Sequence, residues 1–533
     1  MRLLPILALL AAPALAQDKP AKTNADKQRE AVEGSFAVAP VEEGETRSKG
    51  AVTVAGRRLP YTATAGTLTI RDVEGKPTAS MFYTAYTLDG VRPGSTRPVT
   101  FFFNGGPGSP TMWLRMGSFG PVRIQTANPE YVRPAPYPVA PNPHTLLDKT
   151  DLVFLDAIGA GYSRVLGEAK AAAFYGVDED VDAFARAIRR YVSKYARWNA
   201  PKFLFGESYG TLRAGALTYR LQDQGVAMNG VVLFSSIMNY GYRQPGLDQV
   251  HINYLPSYAA TAWYHKRLAN PPTDVADIVA QARAFAVGPY AAALGKGQLI
   301  GAAERDAVAR RMAELTGLTP EFIVRANLRV DLPRFQKELL RGTRQVVGRL
   351  DSRYVGYDAD AAGERPEGDV SSDAISAAFI AAQNDHAGRV LGYRTDLEYR
   401  PSARDAPGWT WNWKHQAPGG GQAQNNPNTA IDLAAAMRAN PYLKVLSMNG
   451  WYDMATPFFG AENDLNHMML EPAQQRNLRF TYYGAGHMMY LNPEALAQMK
   501  RDLSAWYDEA LSDARGAPPV APSVGEAEET PPN

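Results

Sequence analysis

The chain has 533 residues, 56 Lys and Arg against 54 Asp and Glu, and no cysteine. Without cysteine there can be no disulfide, no Cys-ligated zinc and no thiol nucleophile, and a formal charge of +2 with both signs scattered offers no basic face to nucleic acid. The length allows one large core and a second domain, held by packing alone.

In chain order, Arg2 precedes an apolar run from Leu3 to Pro13, and Ala14-Leu15-Ala16 precedes Gln17. This is the pattern of a signal peptide over 1–16, cleaved after Ala16. The apolar run is short for a ~30 Å hydrocarbon core, and no later run reaches the ~18 apolar residues of a membrane span. The expectation is therefore a soluble mature protein, periplasmic or secreted. Residues 17–48 are rich in Ala, Lys, Glu, Asp and Gly and read as a flexible leader; residues 513–533, rich in Pro and Glu, read as a disordered tail.

Between these lies a patterned chain without internal repeats. From 50 to 103, short alternating β-branched and polar runs separated by Gly-containing turns predict antiparallel strands. From about 150 the pattern changes to strand then helix: DLVFLD, then a helical stretch with Val181, Phe184, Ile188, Tyr191 and Tyr195 on one face, then PKFLFG, a helix, and NGVVLFSS. This alternation predicts a mostly parallel sheet covered on both faces. It stops at 238, and residues 238–435 are mainly helical in pattern, with a helix start at Thr319-Pro320-Glu321. Strand patterns return at YLKVLSMNG and LRFTYYG. The fold class is thus α/β, a core of 49–237 and 436–512 interrupted by a helical cap over 238–435, of the kind that roofs an active site.

The chemistry sits at the strand ends. Gly206-Glu207-Ser208-Tyr209-Gly210 fits the G-x-S-x-G nucleophile elbow, between a strand and a helix pattern as that turn requires. Held there, the Ser208 hydroxyl projects from the sheet edge and the Tyr209 amide becomes available to an oxyanion. A serine needs a base and the base an orienting acid, in the chain order Ser, acid, His. Asp453 follows the strand YLKVLSM and His487 follows LRFTYY. The other six histidines lie before or within the cap or in helix-like sequence. Asn104-Gly105-Gly106-Pro107-Gly108-Ser109 follows the strand PVTFFF, and its glycines allow a second amide to approach an oxyanion. The absence of G-x-x-x-x-G-K-[ST] argues against a phosphate loop. Trp409, Trp411 and Trp413 read as core rather than pocket wall.

These five segments, NGGPGS, LVFLDAIGAGYS, GESYG, GWYDMATP and GAGHM, stand in the order of the serine carboxypeptidase family (peptidase family S10), which the chain resembles from about 50 to 510. The resemblance implies the α/β-hydrolase fold and hydrolysis of C-terminal peptide bonds through an acyl-enzyme. It implies Ser208 as nucleophile, His487 as base, Asp453 as its orienting acid, and Gly106 and Tyr209 as oxyanion donors. Asn104 and Glu207, helped by Gly105, would bind the substrate's terminal carboxylate. No metal or other cofactor is called for, and the partner implied is a peptide or protein C-terminus. Acyltransferase or esterase relatives use the same triad and remain the alternative. The chain departs from the family at Ser118, where many members carry a glutamate, which puts the acidic preference of the Glu207 network in question. It departs again in lacking cysteine, as exported bacterial members do.

Overall fold

The computed structural model describes residues 38–91 and 96–512; the signal-peptide reading, most of the leader and the tail lie outside the described residues. Strands β1 (Glu45–Val54), β2 (Arg57–Arg71) and β3 (Pro77–Leu88) form an antiparallel meander. β1 and β2 are joined by Ala55-Gly56, both at positive φ, the twist that suits a two-residue hairpin. The leader therefore ends earlier than 48. Its charged residues Glu45, Arg47 and Lys49 alternate along an outer strand, where β2 supplies the hydrogen bonds that composition alone does not suggest.

The remaining strands are β4 (Val99–Phe103), β5 (Asp151–Leu155), β6 (Lys202–Glu207), β7 (Gly230–Phe234), β8 (Lys444–Gly450) and β9 (Leu478–Tyr483). Their order across the sheet is β1-β2-β3-β5-β4-β6-β7-β8-β9, with a two-residue strand, Arg164–Val165, at the edge of β3. Every pair from β5 to β9 is parallel. β4 to β7 are buried along their whole length, as a parallel sheet covered on both faces requires. A short helix, α1 (Met112–Gly117), follows β4, and on one face of the sheet Leu204 packs with helices α2 (Val177–Lys194) and α3 (Tyr209–Asp223). On the other, Phe203 and Phe205 join α4 (Pro493–Ser512), whose Trp506 meets Phe203 edge-on and whose Tyr507 meets it at a tilt. This is an α/β-hydrolase fold.

Register decides where the site forms. Phe103 pairs with Gly206, and Phe234 pairs with Glu207, so Asn104, Ser208 and Ser235 leave the sheet side by side at its carboxyl edge. The loops after β8 and β9 leave the same edge.

After β7 come helices Gln249–Tyr264, Val275–Phe285 and Ala302–Thr316, then shorter ones. They share an apolar core that includes Leu255, Phe285, Leu315 and Phe335 and takes in Tyr452 and Met454 from the loop after β8. The Thr319 side chain accepts from the Phe322 amide, with Pro320 at the first position of its helix, the cap chemistry read from the sequence. The stretch is less uniformly helical than its pattern suggests. It holds an antiparallel ladder, Gln345–Val347 with Val355–Tyr357, and a largely irregular run from 391 to 429. Among the described residues, no helix is long and apolar enough to cross a membrane.

Candidate active site

Ser208 stands between β6 and α3 with φ 62° and ψ −129°, a strained conformation for a residue with a side chain. The turn closes only because its flanks are glycine. A Cβ on Gly206 would lie 2.2 Å from the Gly210 carbonyl oxygen, and one on Gly210 would lie 2.9 Å from that of Phe103. The elbow predicted from the sequence is therefore present in backbone geometry.

His487 and Asp453, from the loops after β9 and β8, meet at 2.8 Å between Nδ1 and Asp453 Oδ2. The other Asp453 oxygen accepts the amides of Ala455 and Thr456 at 2.8 and 2.9 Å. The Thr456 hydroxyl lies 2.8 Å from Asp453 Oδ2 and 2.9 Å from the Ser235 carbonyl oxygen. The main chain of His487 is held from two sides: its amide donates to Leu350 of the cap segment at 2.6 Å, and its carbonyl accepts from the Ser235 hydroxyl at 2.6 Å. Fixing Nδ1 as the donor to Asp453 leaves Nε2 as the basic nitrogen. Burial opposes a charge on His487, but the carboxylates of Asp453 and Glu207 outweigh it and hold its pKa above the usual histidine value.

Ser208, His487, Glu207, Asn104, Gly105 and Gly106 line one cleft of about 420 Å³. A Cβ on Gly105 would lie 2.4 Å from the Tyr209 nitrogen and 2.9 Å from Ser208 Cβ, so the loop after β4 presses directly on the elbow. Among the described residues, neither the Gly106 nor the Tyr209 amide donates a hydrogen bond. All eight residues singled out by sequence thus converge on one edge of the sheet.

Glu207 is buried, and burial raises its pKa to about 7 against the lowering influence of His487, Tyr490 and Asn104. The Tyr490 hydroxyl donates to both of its oxygens, at 3.3 and 3.2 Å. Asn104 is oriented by accepting the Leu114 amide at 3.1 Å. Arg213, fully buried, donates to the Asn104 carbonyl oxygen at 2.8 Å and grips Asp180 through Nε at 2.6 Å and Nη2 at 3.2 Å. Ser118, at the position where many family members carry a glutamate, turns away and donates to the Leu114 carbonyl oxygen at 2.6 Å. Tyr490 is the partner that Glu207 has instead.

Sequence reading missed Tyr490, Thr456 and Arg213. The first two lie three residues beyond His487 and Asp453, which is the only signal the sequence offers; Arg213 sits on α3 with no motif of its own. Asp156 is structural: its Oδ1 accepts the Thr111 amide and hydroxyl at 2.7 and 2.6 Å, and burial lifts its pKa to about 6. Trp411 and Trp413 pack edge-on against Tyr209 and Trp409 against Tyr175, outside the lining of the cleft.

Among curated proteins, none matches this sequence. Among solved structures, the chain is similar to Kex1(delta)p, a prohormone-processing carboxypeptidase from Saccharomyces cerevisiae, at 12% identity and TM-score 0.47, covering 84% of this chain and 92% of that one. It is also similar to proline iminopeptidase from Mycobacterium smegmatis, at 13% identity and TM-score 0.35, covering 84% and 99%. A thermostable carboxyl esterase from Bacillus coagulans follows at 12% and 0.34, covering 84% and 98%. Residues 57–253 match the family model described as serine carboxypeptidase; they contain the NGGPGS loop, the elbow and β2 to β7.

Proposed function

We propose that the protein removes residues from peptide C-termini through an acyl-enzyme on Ser208. The Ser208 hydroxyl attacks the scissile carbonyl as its proton passes to His487 Nε2, and Asp453 stabilises the imidazolium that forms. The Gly106 and Tyr209 amides would receive the oxyanion, a contribution of roughly 3 kcal/mol per donor. His487 then gives its proton to the departing amine, and water, deprotonated by the same nitrogen, releases the acyl group.

The observation that carries this reading beyond a general serine hydrolase is the buried Glu207 beside the cleft. A carboxyl with a pKa of about 7 is protonated below that pH and can donate a hydrogen bond to a peptide's terminal carboxylate, with Asn104 and Gly105 alongside. An ester without a free carboxylate gives this group nothing to do. The test is hydrolysis of one peptide with a free or an amidated C-terminus: a strong preference for the free acid supports an exopeptidase, equal rates point to a peptidase that does not read the carboxylate, and cleavage of neither points to an esterase or acyltransferase. We also propose export, on the pattern of Arg2, the apolar run and Ala14-Leu15-Ala16. N-terminal sequencing of protein recovered outside the cytoplasm should begin at Gln17; an intact Met1 there would argue against cleavage.

A further inference from the structure

Two arginines line the cleft and a third stands behind it, and among the described residues none of them forms a salt bridge. Arg349 and Arg404 line it together with Ser208 and His487. Arg349 directly precedes Leu350, whose carbonyl holds the His487 amide. The nearby Asp369 spends its oxygens on main chain and on Ser371, accepting the Arg349 and Leu350 amides at 2.8 and 3.0 Å and the Ser371 amide and hydroxyl. The Arg349 guanidinium therefore gets no ion pair from it. Among the described residues, the Arg404 side chain donates only to the Gly106 carbonyl oxygen, at 3.3 Å.

Arg243 stands behind them. Its Nη2 donates at 3.1 Å to the carbonyl oxygen of Ala455, itself a cleft residue, and its guanidinium lies 5.3 Å from the Tyr240 ring centroid. Its Nε is buried and has no hydrogen-bond partner. Arg349 and Arg404 thus share the cleft lining with Ser208 and His487, and Arg243 reaches the same cleft through the Ala455 carbonyl. Among the described residues none of the three forms a salt bridge. Of the carboxylates nearby, Asp453 is engaged by His487 and Glu207 by Tyr490; Asp464 accepts the Met238 and Asn239 amides through Oδ2 and offsets part of the Arg243 charge. Arg349 and Arg404 are exposed at the cleft wall and carry no salt bridge among the described residues, so their guanidinium groups are free to meet an anion, and arginine's planar fork suits a carboxylate.

We propose that Arg243, Arg349 and Arg404 make the enzyme selective for substrates with an acidic side chain on one of the two residues joined by the scissile bond. This rests on the carboxypeptidase reading for its substrate but not for its chemistry. A Glu side chain would meet Arg349 and Arg404 at the cleft wall, with Arg243 adding to the local field. A Lys side chain there would meet like charges.

The test compares blocked peptides carrying Glu, Gln or Lys in each of the last two positions, together with the matching depsipeptides, whose scissile bond is an ester. At one of the two positions kcat/KM for Glu should exceed that for its isostere Gln by on the order of tenfold, with Lys poorest. Arg349→Gln and Arg404→Gln should each bring the Glu-to-Gln ratio towards one, and Arg349→Glu should favour Lys. The ratio is internal to each variant, so a loss of folded protein does not imitate the effect. Equal rates for Glu and Gln at both positions, or a ratio unmoved by the substitutions, would overturn the proposal. Acid selectivity on depsipeptides without peptide cleavage keeps the arginine proposal and removes the peptidase reading; peptide cleavage indifferent to charge does the reverse.

Discussion

Replacing Glu207 with glutamine should remove the alkaline limb of peptide hydrolysis. With a pKa of about 7, Glu207 is about nine-tenths protonated at pH 6, half at pH 7 and one-tenth at pH 8. Only the protonated form can donate to the substrate's carboxylate, since two carboxylates in a buried site repel. The sign follows: this binding contribution is present below about pH 7 and is lost as pH rises through it. Because kcat/KM reports the free enzyme's groups, the Glu207 contribution to wild-type kcat/KM on a free-acid peptide should fall about fivefold from pH 7 to pH 8, offset in part by deprotonation of His487. The side-chain amide introduced by Glu207→Gln donates at every pH but forms a weaker bond than a carboxyl. The variant should therefore lose roughly 1 kcal/mol at pH 6, about fivefold, and overtake wild type between about pH 7.5 and 8. Glu207 is also one of the carboxylates that raise the His487 pKa, so the acid limb of the variant should move to lower pH. The assay is kcat/KM from pH 5 to 9 on one blocked peptide and its amide. A variant whose alkaline limb matches that of wild type would refute the role of Glu207.

Tyr490→Phe takes away a donor that favours the charged form of Glu207, so the same alkaline limb should move to higher pH; a downward shift would contradict the contact. Arg213→Met leaves Asp180 buried and unpaired and should cost about 3–5 kcal/mol of stability, read by chemical denaturation. The double variant Asp180→Leu/Arg213→Met should recover much of that stability while peptide hydrolysis stays impaired, because the Asn104 carbonyl has lost its donor; full recovery of activity would make Arg213 purely structural. Gly105→Ala drives a methyl group to within 2.4 Å of the Tyr209 nitrogen and should lower kcat by about 10²–10³, the usual loss on spoiling an oxyanion donor. A folded variant with kcat intact would place the oxyanion elsewhere.

What was legible in the sequence was whatever a local pattern carries. Ser208, Asp453 and His487 each follow a short apolar strand and sit in a glycine-rich or turn-forming segment, so strand, turn and side chain could be read together. The parallel sheet followed from runs such as VTFFF and GVVLF, which are apolar on both faces. Tyr490 was hidden because its contact with Glu207 spans 283 residues and is made by an ordinary-looking tyrosine. The missing glutamate at 118 signalled a gap in the network but not what fills it. Arg243, Arg349 and Arg404 come from three separate segments, and only the fold brings them to one cleft. The start of β1 was obscured for a related reason: an outer strand rich in charge looks like leader until its partner strand is known.

Mass spectrometry of peptide digests between pH 4 and 8, with Ser208→Ala as the blank, tests the central claim most directly. The expected result is stepwise loss of single residues from free C-termini, declining as pH rises above about 7 and again at acid pH where His487 becomes protonated, suppressed by amidating the C-terminus and absent with Ser208→Ala. Internal fragments, or C-terminal loss that persists without the Ser208 hydroxyl, would contradict it.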